Sequence, residues 1–590
     1  MTSLVLHPVL PFLLAALLTP LAGVNGRRLL SILAPAAALG LLLWLPDGAT
    51  ASVTTLGHEW VLLRADRLAR VFAMAFILFA GIAGVYAWEE TGVGPRVASL
   101  GLAGAGVGVV LAGDLLSLFL FWEWLTIASL FLIWFGNTAG AWAAGLRYLA
   151  FHLLGATVML IGILMRVGEG APAFEAMTTD QLSSWLILLG MATNAAVPPL
   201  HAWLADSYPR ASIYGTVFLA AFTTKAAVYA LARGFPGAEV LVWAGGAMVL
   251  VGTLYALLEN DIRRLMVHSI VSQVGYMVAG IGLGTALALN GTAAHAFSHI
   301  FYKGLMLMAA GAVIHATGRR KLSELGQLAG PMRWTMVFMM IGALSISAAP
   351  FLNGFVSKSM IVSAAGYSGM GALELVLLVA SVGTILHSGL RLPWFTFFGA
   401  DQGARVNRPV PASMYVAMAL AAAVCIITGI LPGGTLYALL PFDAEYHPFT
   451  AHHFVESLQL LAGSALGFWL LRGLLVGRAT TTRDVDLLYR APIRWLIEGS
   501  GKALKSIGRR ANTISVGIVD TGWRTLHQYH INVGTPTLAA QTFIIIGGMT
   551  PMWGQVPVPR SPCPSCSSCS SCSSCSSCPT PYGRPILTTT

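Results

Sequence analysis

Charge is the scarcest property of this 590-residue chain: Asp, Glu, Lys and Arg make up 10% of it, against 56% hydrophobic residues. Soluble domains carry about 25% charged residues, so an ordinary water-soluble fold is excluded. Alternating ten-residue strands are also missing, which removes a membrane β-barrel. The first apolar run has no basic residues ahead of it and no small-residue cleavage site before Arg27. It is expected as a retained helix, not a signal peptide. No dinucleotide fingerprint, haem-attachment motif or credible iron–sulfur spacing occurs outside a low-complexity tail, so neither a cofactor nor a metal is expected. Carboxylates do not cluster inside the apolar runs, so no sodium cage is marked. The net charge of +10 does not imply a nucleic-acid partner, because the basic residues lie in short loops and in a C-terminal segment where a lipid bilayer explains them.

What is present is a succession of apolar runs of about twenty residues, the length that crosses a bilayer as a helix with every backbone donor satisfied internally. The runs fall at 4–23, 29–45, 67–88, 97–113, 114–135, 142–167, 182–205, 211–233, 238–258, 264–284, 290–316, 333–365, 371–398, 411–433 and 454–477. The expected fold is an all-α polytopic membrane protein of about 14–15 transmembrane helices. With the N-terminus outside, the inner loops collect Arg27, Arg28, Arg96, Arg210, Arg263, Arg264, Arg319, Arg320, Lys321, Arg333, Arg405 and Arg408. The outer loops are acidic or nearly neutral, apart from the mixed segment before the third run, so the positive-inside rule gives one consistent orientation.

Two runs, 182–205 and 333–365, are long and carry proline near the middle. Proline removes a donor and frees a carbonyl, which membranes tolerate where the broken backbone is buried in protein or lines a wet cavity. Two breaks five runs apart suggest an internal five-helix repeat of the kind transporters place around a midplane site. The expected organisation is N-terminal helices with an outer hairpin-like segment (1–96), a first repeat (97–233), a second repeat (238–398) and C-terminal helices (399–477). An amphipathic cytoplasmic segment (478–530) and a Cys/Ser-rich tail (531–590) follow. The tail's C-x-x-C spacing can bind zinc, but with no flanking structure to fix a tetrahedral site it reads as disordered.

The few charges inside the runs stand out. Lys225 sits in the middle of FLAAFTTKAAVYA, where an ammonium costs roughly 2.5–3.5 kcal/mol on an insertion scale. Glu123 lies in FLFWEWLTI, Lys358 beside the second break, and His295, His299 and Lys303 in HAFSHIFYKGL. The last three follow i, i+4, i+8 spacing, which puts them on one helix face over about 12 Å of rise. One such residue alone could simply make an interhelical hydrogen bond or snorkel. A carboxylate, two mid-span lysines and this ladder in one chain are what a proton relay requires, since each group must take up and release a proton at moderate cost.

These residues resemble a known family: the antiporter-like subunits of Mrp-type Na+/H+ antiporters, especially the D component of those assemblies, and of the proton-pumping membrane arm of complex I. The resemblance rests on FWEW (121–124), PLHAWLADSYPRA (199–211), TTKAAVYAL (223–231), ENDIRRLMVHSIVSQVGYM (259–277), HAFSHIFYKGL (295–305) and NGFVSK (353–358), in that order. It implies two inverted five-helix repeats, each with a broken helix. Glu123 corresponds to the carboxylate of the fifth helix and Lys225 to the lysine of the eighth. His295, His299 and Lys303 correspond to the connecting relay, and Lys358 to the terminal group of the broken twelfth helix. His201, Trp203 and Asp206 belong to the supporting motif.

One position departs from the pattern. Where the family usually places a lysine that pairs with the fifth-helix carboxylate, this chain has Asn194. Glu123 is then expected to be neutral, to find Lys225, or to pair with a partner subunit. The resemblance implies other membrane subunits as partners and protons, with Na+, as cargo. It leaves open a membrane-arm subunit of a redox complex or hydrogenase, a subunit of an inorganic-carbon uptake system, and a degenerate scaffold for an active neighbour.

Overall fold

A computed structural model describes residues 7–55 and 57–476. The expected amphipathic segment and the Cys-rich tail lie outside the described residues. Each of the fifteen apolar runs becomes helix. In chain order these are α1 (Leu10–Leu18), α2 (Val24–Trp44), α3 (Arg67–Tyr86), α4 (Val93–Leu111), α5 (Leu115–Trp134), α6 (Ala141–Gly168), α7 (Leu182–Asn194), α8 (Ala202–Ser207) and α9 (Ile213–Gly234). They continue as α10 (Glu239–Leu258), α11 (Ile262–Leu283), α12 (Ala286–Thr317), α13 (Arg333–Ile346), α14 (Asn353–Tyr367), α15 (Gly371–Thr384), α16 (Ala412–Ile430) and α17 (Ala451–Leu471). Among the described residues twelve helical stretches are long and apolar enough to span a bilayer. The remaining three runs are the short α1 and the two interrupted runs, which form half-helices, α7 with α8 and α13 with α14.

An antiparallel hairpin, β1 (Ala49–Thr55) with β2 (His58–Ala65), adds a small sheet to the helical fold. It forms where the chain leaves the apolar runs, and Asp114 ties it down by accepting from the Val61 N–H at 2.6 Å. Asp114 also caps α5, accepting from the Leu116 and Ser117 N–H groups at 2.8 Å, which satisfies donors that a helix start leaves open.

The loops sort onto two faces. On the outer one, Asp66 caps α3 and receives both bonds of the Arg233 guanidinium at 2.6 and 2.7 Å. On the inner one, Arg263 donates to the carbonyls of Ala211 at 2.8 Å and Ser212 at 3.0 Å, while Arg320 pairs with Asp261. Every one of these contacts joins loops assigned to the same side.

α12 is the central strut. Nearly every residue from Ala288 to Val313 is buried, and it packs against α3, α9, α11, α13, α14 and α16. The outer helices instead expose leucine and tryptophan: Trp44, Trp142, Leu154, Leu466 and Trp469 are all more than half exposed, as a lipid-facing surface requires.

The two breaks are built alike. In the first, the amides of Ala195, Ala196 and Val197 donate to the carbonyls of Met191, Thr193 and Ala192. In the second, Ser347, Ala348 and Ala349 donate to Ala343, Ser345 and Leu344. Ala196 and Ala348 share a left-handed backbone, φ 61° and 56°. By the loop assignment α7–α8 descend from the outer face and α13–α14 rise from the inner one, so the repeat is inverted, as the resemblance implies.

Candidate functional site

The polar interior lies between the two breaks, with α12 across it. Lys225 is fully buried on α9. Its Nζ donates to the carbonyl of Ala220 at 2.6 Å and to Thr224 Oγ1 at 3.2 Å, so an oxygen cage drawn from its own helix holds the ammonium. His299 stands within electrostatic reach of Lys225, Lys303, His295 and Lys358. Both of its ring nitrogens are buried and lack a protein partner, the condition that internal water satisfies. One turn earlier, the His295 Nδ1 lies 3.1 Å from Ser357 Oγ on α14, and its Nε2 lies 3.3 Å from the Tyr302 hydroxyl. The ladder therefore faces inward along its length and ends beside the second break.

At that break Lys358 closes the lane. Its Nζ donates to the Ile346 carbonyl at 2.8 Å and sits 5.2 Å from the centroid of the Tyr276 ring. Ile346 is the last residue of α13, so the ammonium occupies the negative end of a helix dipole with a ring face beside it, two favourable placements for a buried cation. The opposite break has a neutral closure. The Trp203 indole N–H donates to the Thr193 carbonyl at 3.0 Å, and Asp206, at the place matching Lys358, pairs with Arg147 at 2.6 Å. His201 is buried at the start of α8, with Tyr255 6.2 Å away.

Glu123 is separated from this lane. It is half-buried on α5, and its Oε1 is buried without a hydrogen-bond partner. No ion pair joins it to Lys225, so that one of the three expected outcomes is not adopted. Between them stand hydroxyls: Tyr148 lies near Glu123 and beside Ser129 and Thr223, whose own oxygens are 3.3 Å apart. Asn194 ends α7 with its amide nitrogen buried and unbonded.

The structure also adds residues that the sequence reading passed over. Lys303 Nζ donates to Ser269 Oγ at 2.7 Å, Ser388 bonds Ser269 at 3.2 Å, and His387 Nδ1 lies 2.7 Å from Ser388. A second thread runs from Tyr302 to Gln273 Oε1 at 3.3 Å and from Gln273 to Thr384 at 3.2 Å. Thr384 ends α15, and His387 and Ser388 lie in the π-helical turn Ile385–Arg391 that follows it. The wider turn of a π-helix is a common device at functional sites. His152 on α6 is another fully buried imidazole, stacked on Tyr148 with ring centroids 3.8 Å apart. A histidine inside an apolar run was the available signal for His152, His268 and His387. None has another histidine or a lysine at helical spacing, which is what drew attention to the ladder.

Chemically the assembly is a group of Lys, His, Tyr and Ser side chains buried in the bundle. Known proteins share both its sequence and its fold. Residues 112–386 match the family model described as NADH:quinone oxidoreductase/Mrp antiporter, TM. NADH-quinone oxidoreductase subunit N of Desulforudis audaxviator is 32% identical over 370 residues, covering 58% of this chain and 73% of the relative. The D component of the Na(+)/H(+) antiporter of Bacillus subtilis is 26% identical over 372 residues, covering 58% and 74%. One polypeptide of the Mrp complex from a Dietzia species superposes with a TM-score of 0.65 at 22% identity, covering 78% of this chain and 98% of its own. The match spans both breaks, the lysine of α9 and the ladder of α12, and on that footing the chain belongs to the family of multi-pass membrane subunits common to NADH:quinone oxidoreductases and Mrp antiporters.

Proposed function

We propose that this chain is the proton-translocating subunit of a multisubunit monovalent cation/proton antiporter, exchanging protons for Na+ across a bacterial inner membrane. The observation that carries the reading is the buried set Lys225, His295, His299, Lys303 and Lys358, in which His299 lies within electrostatic reach of Lys225 and His295 meets the second break's half-helix at Ser357. Lys225, His295, Lys303 and Lys358 are held by hydroxyls or backbone carbonyls, and the unpartnered nitrogens of His299 are the place for a bridging water. Proton movement through such a file needs only side-chain and water reorientation. The first five-helix unit, 97–233, supplies Lys225 on α9, and the second, 238–398, supplies the ladder on α12 and Lys358 on its broken helix.

Glu123 has a separate role in this reading. Half-buried and without a basic partner among the described residues, it is placed to meet a group on a neighbouring membrane subunit. The hydroxyls of Tyr148, Ser129 and Thr223 are the groups that a link from it toward Lys225 would use, with the Tyr148 hydroxyl itself free of a hydrogen bond. Asn194 leaves the end of α7 without a lysine, so in this reading the loading of Lys225 depends on a neighbouring subunit and not on an ion pair between α7 and Glu123.

The test is proton flux by the purified assembly in liposomes, followed with an internal pH dye on adding Na+ or K+. Lys225→Ala and Lys358→Ala each abolish the flux if the file is used, whereas unchanged flux in both leaves a scaffold. A second reading, as a membrane subunit of a quinone-reducing complex, is favoured by the 32% identity to subunit N. In that case flux follows electron donor and quinone and does not respond to added cation.

A further inference from the structure

The file has to reach water at its Lys358 end, and the surroundings of that residue single out one direction. Lys358 lines a crevice between α14, α15 and α17 together with Ser359, Ser381, His453, Glu456 and Ser457. The crevice has about 40 Å³ of space open to water, where a single water needs roughly 10–15 Å³. Two of its members are titratable side chains of α17, a peripheral helix that otherwise exposes Val455, Leu458, Leu466 and Leu470. A carboxylate on such a helix is costly unless it meets water or a partner, and Glu456 turns toward the crevice.

Above Glu456 the polar groups continue toward the outer loop. His453, buried in the first turn of α17, has Nε2 3.2 Å from Ser363 on α14 and Nδ1 3.2 Å from the Pro448 carbonyl. Ser363 is in turn 3.5 Å from the Tyr446 hydroxyl, and the Tyr446 and His453 rings are 5.5 Å apart. Below, Ser457 donates to the Ala348 carbonyl at 2.7 Å, which fastens α17 to the unwound backbone of the second break. Lys358, Ser359 and Ser363 are on the half-helix that climbs from the break to the outer face, so the polar groups follow one course from mid-membrane to the loop ahead of α17.

We propose that this α14–α17 crevice is the aqueous port through which Lys358 exchanges protons with the outer face, with Glu456 and His453 as its proton-carrying residues. The inference rests on the relay reading, and adds to it a route, a side and two residues. A proton leaving the Lys358 ammonium passes to water in the crevice, then to the Glu456 carboxylate or the His453 imidazole, and from there to bulk water at the Tyr446 loop. No bond other than O–H and N–H changes. The charged and titratable groups that face the port are Lys358, Glu456, His453, Tyr446 and the adjoining His452.

The experiment uses the intact assembly in oriented liposomes. Glu456→Gln and His453→Gln each lower proton flux by roughly tenfold, less than the 10²–10⁴ of a fully committed proton donor because crevice water substitutes in part. The double variant loses less than the product of the two, since both residues serve one path. A second readout does not depend on flux: in a Glu456→Cys chain, a membrane-impermeant thiol reagent added outside reacts above the level of the unaltered chain, and prior reaction slows flux. Wild-type flux in both Gln variants, or failure of Glu456→Cys to react from outside, overturns the port. If Lys358→Ala is inactive while either of those results is obtained, the relay stands and only its outlet is wrong; an active Lys358→Ala removes the relay itself.

Discussion

The two broken helices have the same backbone and opposite chemistry. Both end a half-helix on one hydrogen-bond pattern with an alanine in the left-handed region. The first is closed by a tryptophan N–H, with an acid–arginine pair where the second has its lysine; the second is closed by that lysine's ammonium. A carbonyl at a helix end needs a donor in either case. An indole N–H meets that need as a neutral donor, whereas the lysine meets it with a charge-assisted bond as an ammonium and a weaker one as a neutral amine. The duplicated scaffold thus carries one neutral latch and one cationic latch.

Several changes would break or sharpen this contrast, and the largest effect is expected at the second latch. Lys358→Arg keeps a donor for the Ile346 carbonyl but cannot release a proton. Assembly should persist by size-exclusion chromatography while proton flux falls by at least about a hundredfold; flux near wild type would mean that the cap, and not the proton, is what matters. At the first break, Asn194→Lys restores the residue type usual in the family. Its stability should depend on Glu123, with Asn194→Lys plus Glu123→Gln about 3 kcal/mol less stable than Asn194→Lys alone, because a buried lone ammonium remains. Equal thermal unfolding of the two would show that these side chains do not meet. Trp203→Phe leaves the Thr193 carbonyl without its donor and should cost about 2 kcal/mol in unfolding measurements with little change in flux. Ser457→Ala, which removes a donor to Ala348 at the second break, should cost about 1 kcal/mol. Detergent melting curves rank the last two.

The fifteen helices were legible because each needs a long apolar run and little else. Both breaks announced themselves through proline in runs too long for one straight helix. The relay lysines and the ladder were visible as charges in apolar surroundings, and i, i+4, i+8 spacing alone fixed their common face. What joins them was not visible. Ser269, Gln273, Tyr302 and Thr384 are ordinary residues for a membrane helix, and only the packing of α11, α12 and the π turn makes them partners. The separation of Glu123 from Lys225 depends on how α5 packs against α6 and α9, which residue types do not encode. Glu456 is in a predicted span but close to its end, where a carboxylate reads as an interfacial group until the crevice beside it is seen. His387 had no histidine or lysine one turn away, and a π turn leaves no periodic trace short enough to read.

The position of α12 has a mechanical consequence. Six helices drawn from both halves of the bundle share this one buried rod, and on one face Arg263 of the second half donates to the Ala211 and Ser212 carbonyls of the first. Swinging one half against the other would strip the rod of one set of neighbours and break that link. Such a body is built as a rigid housing, and the proposed relay asks nothing more of it, since side-chain rotamers, hydroxyls and water can turn over inside a frame that stays put, much as the casing of a pump stands still around its moving parts.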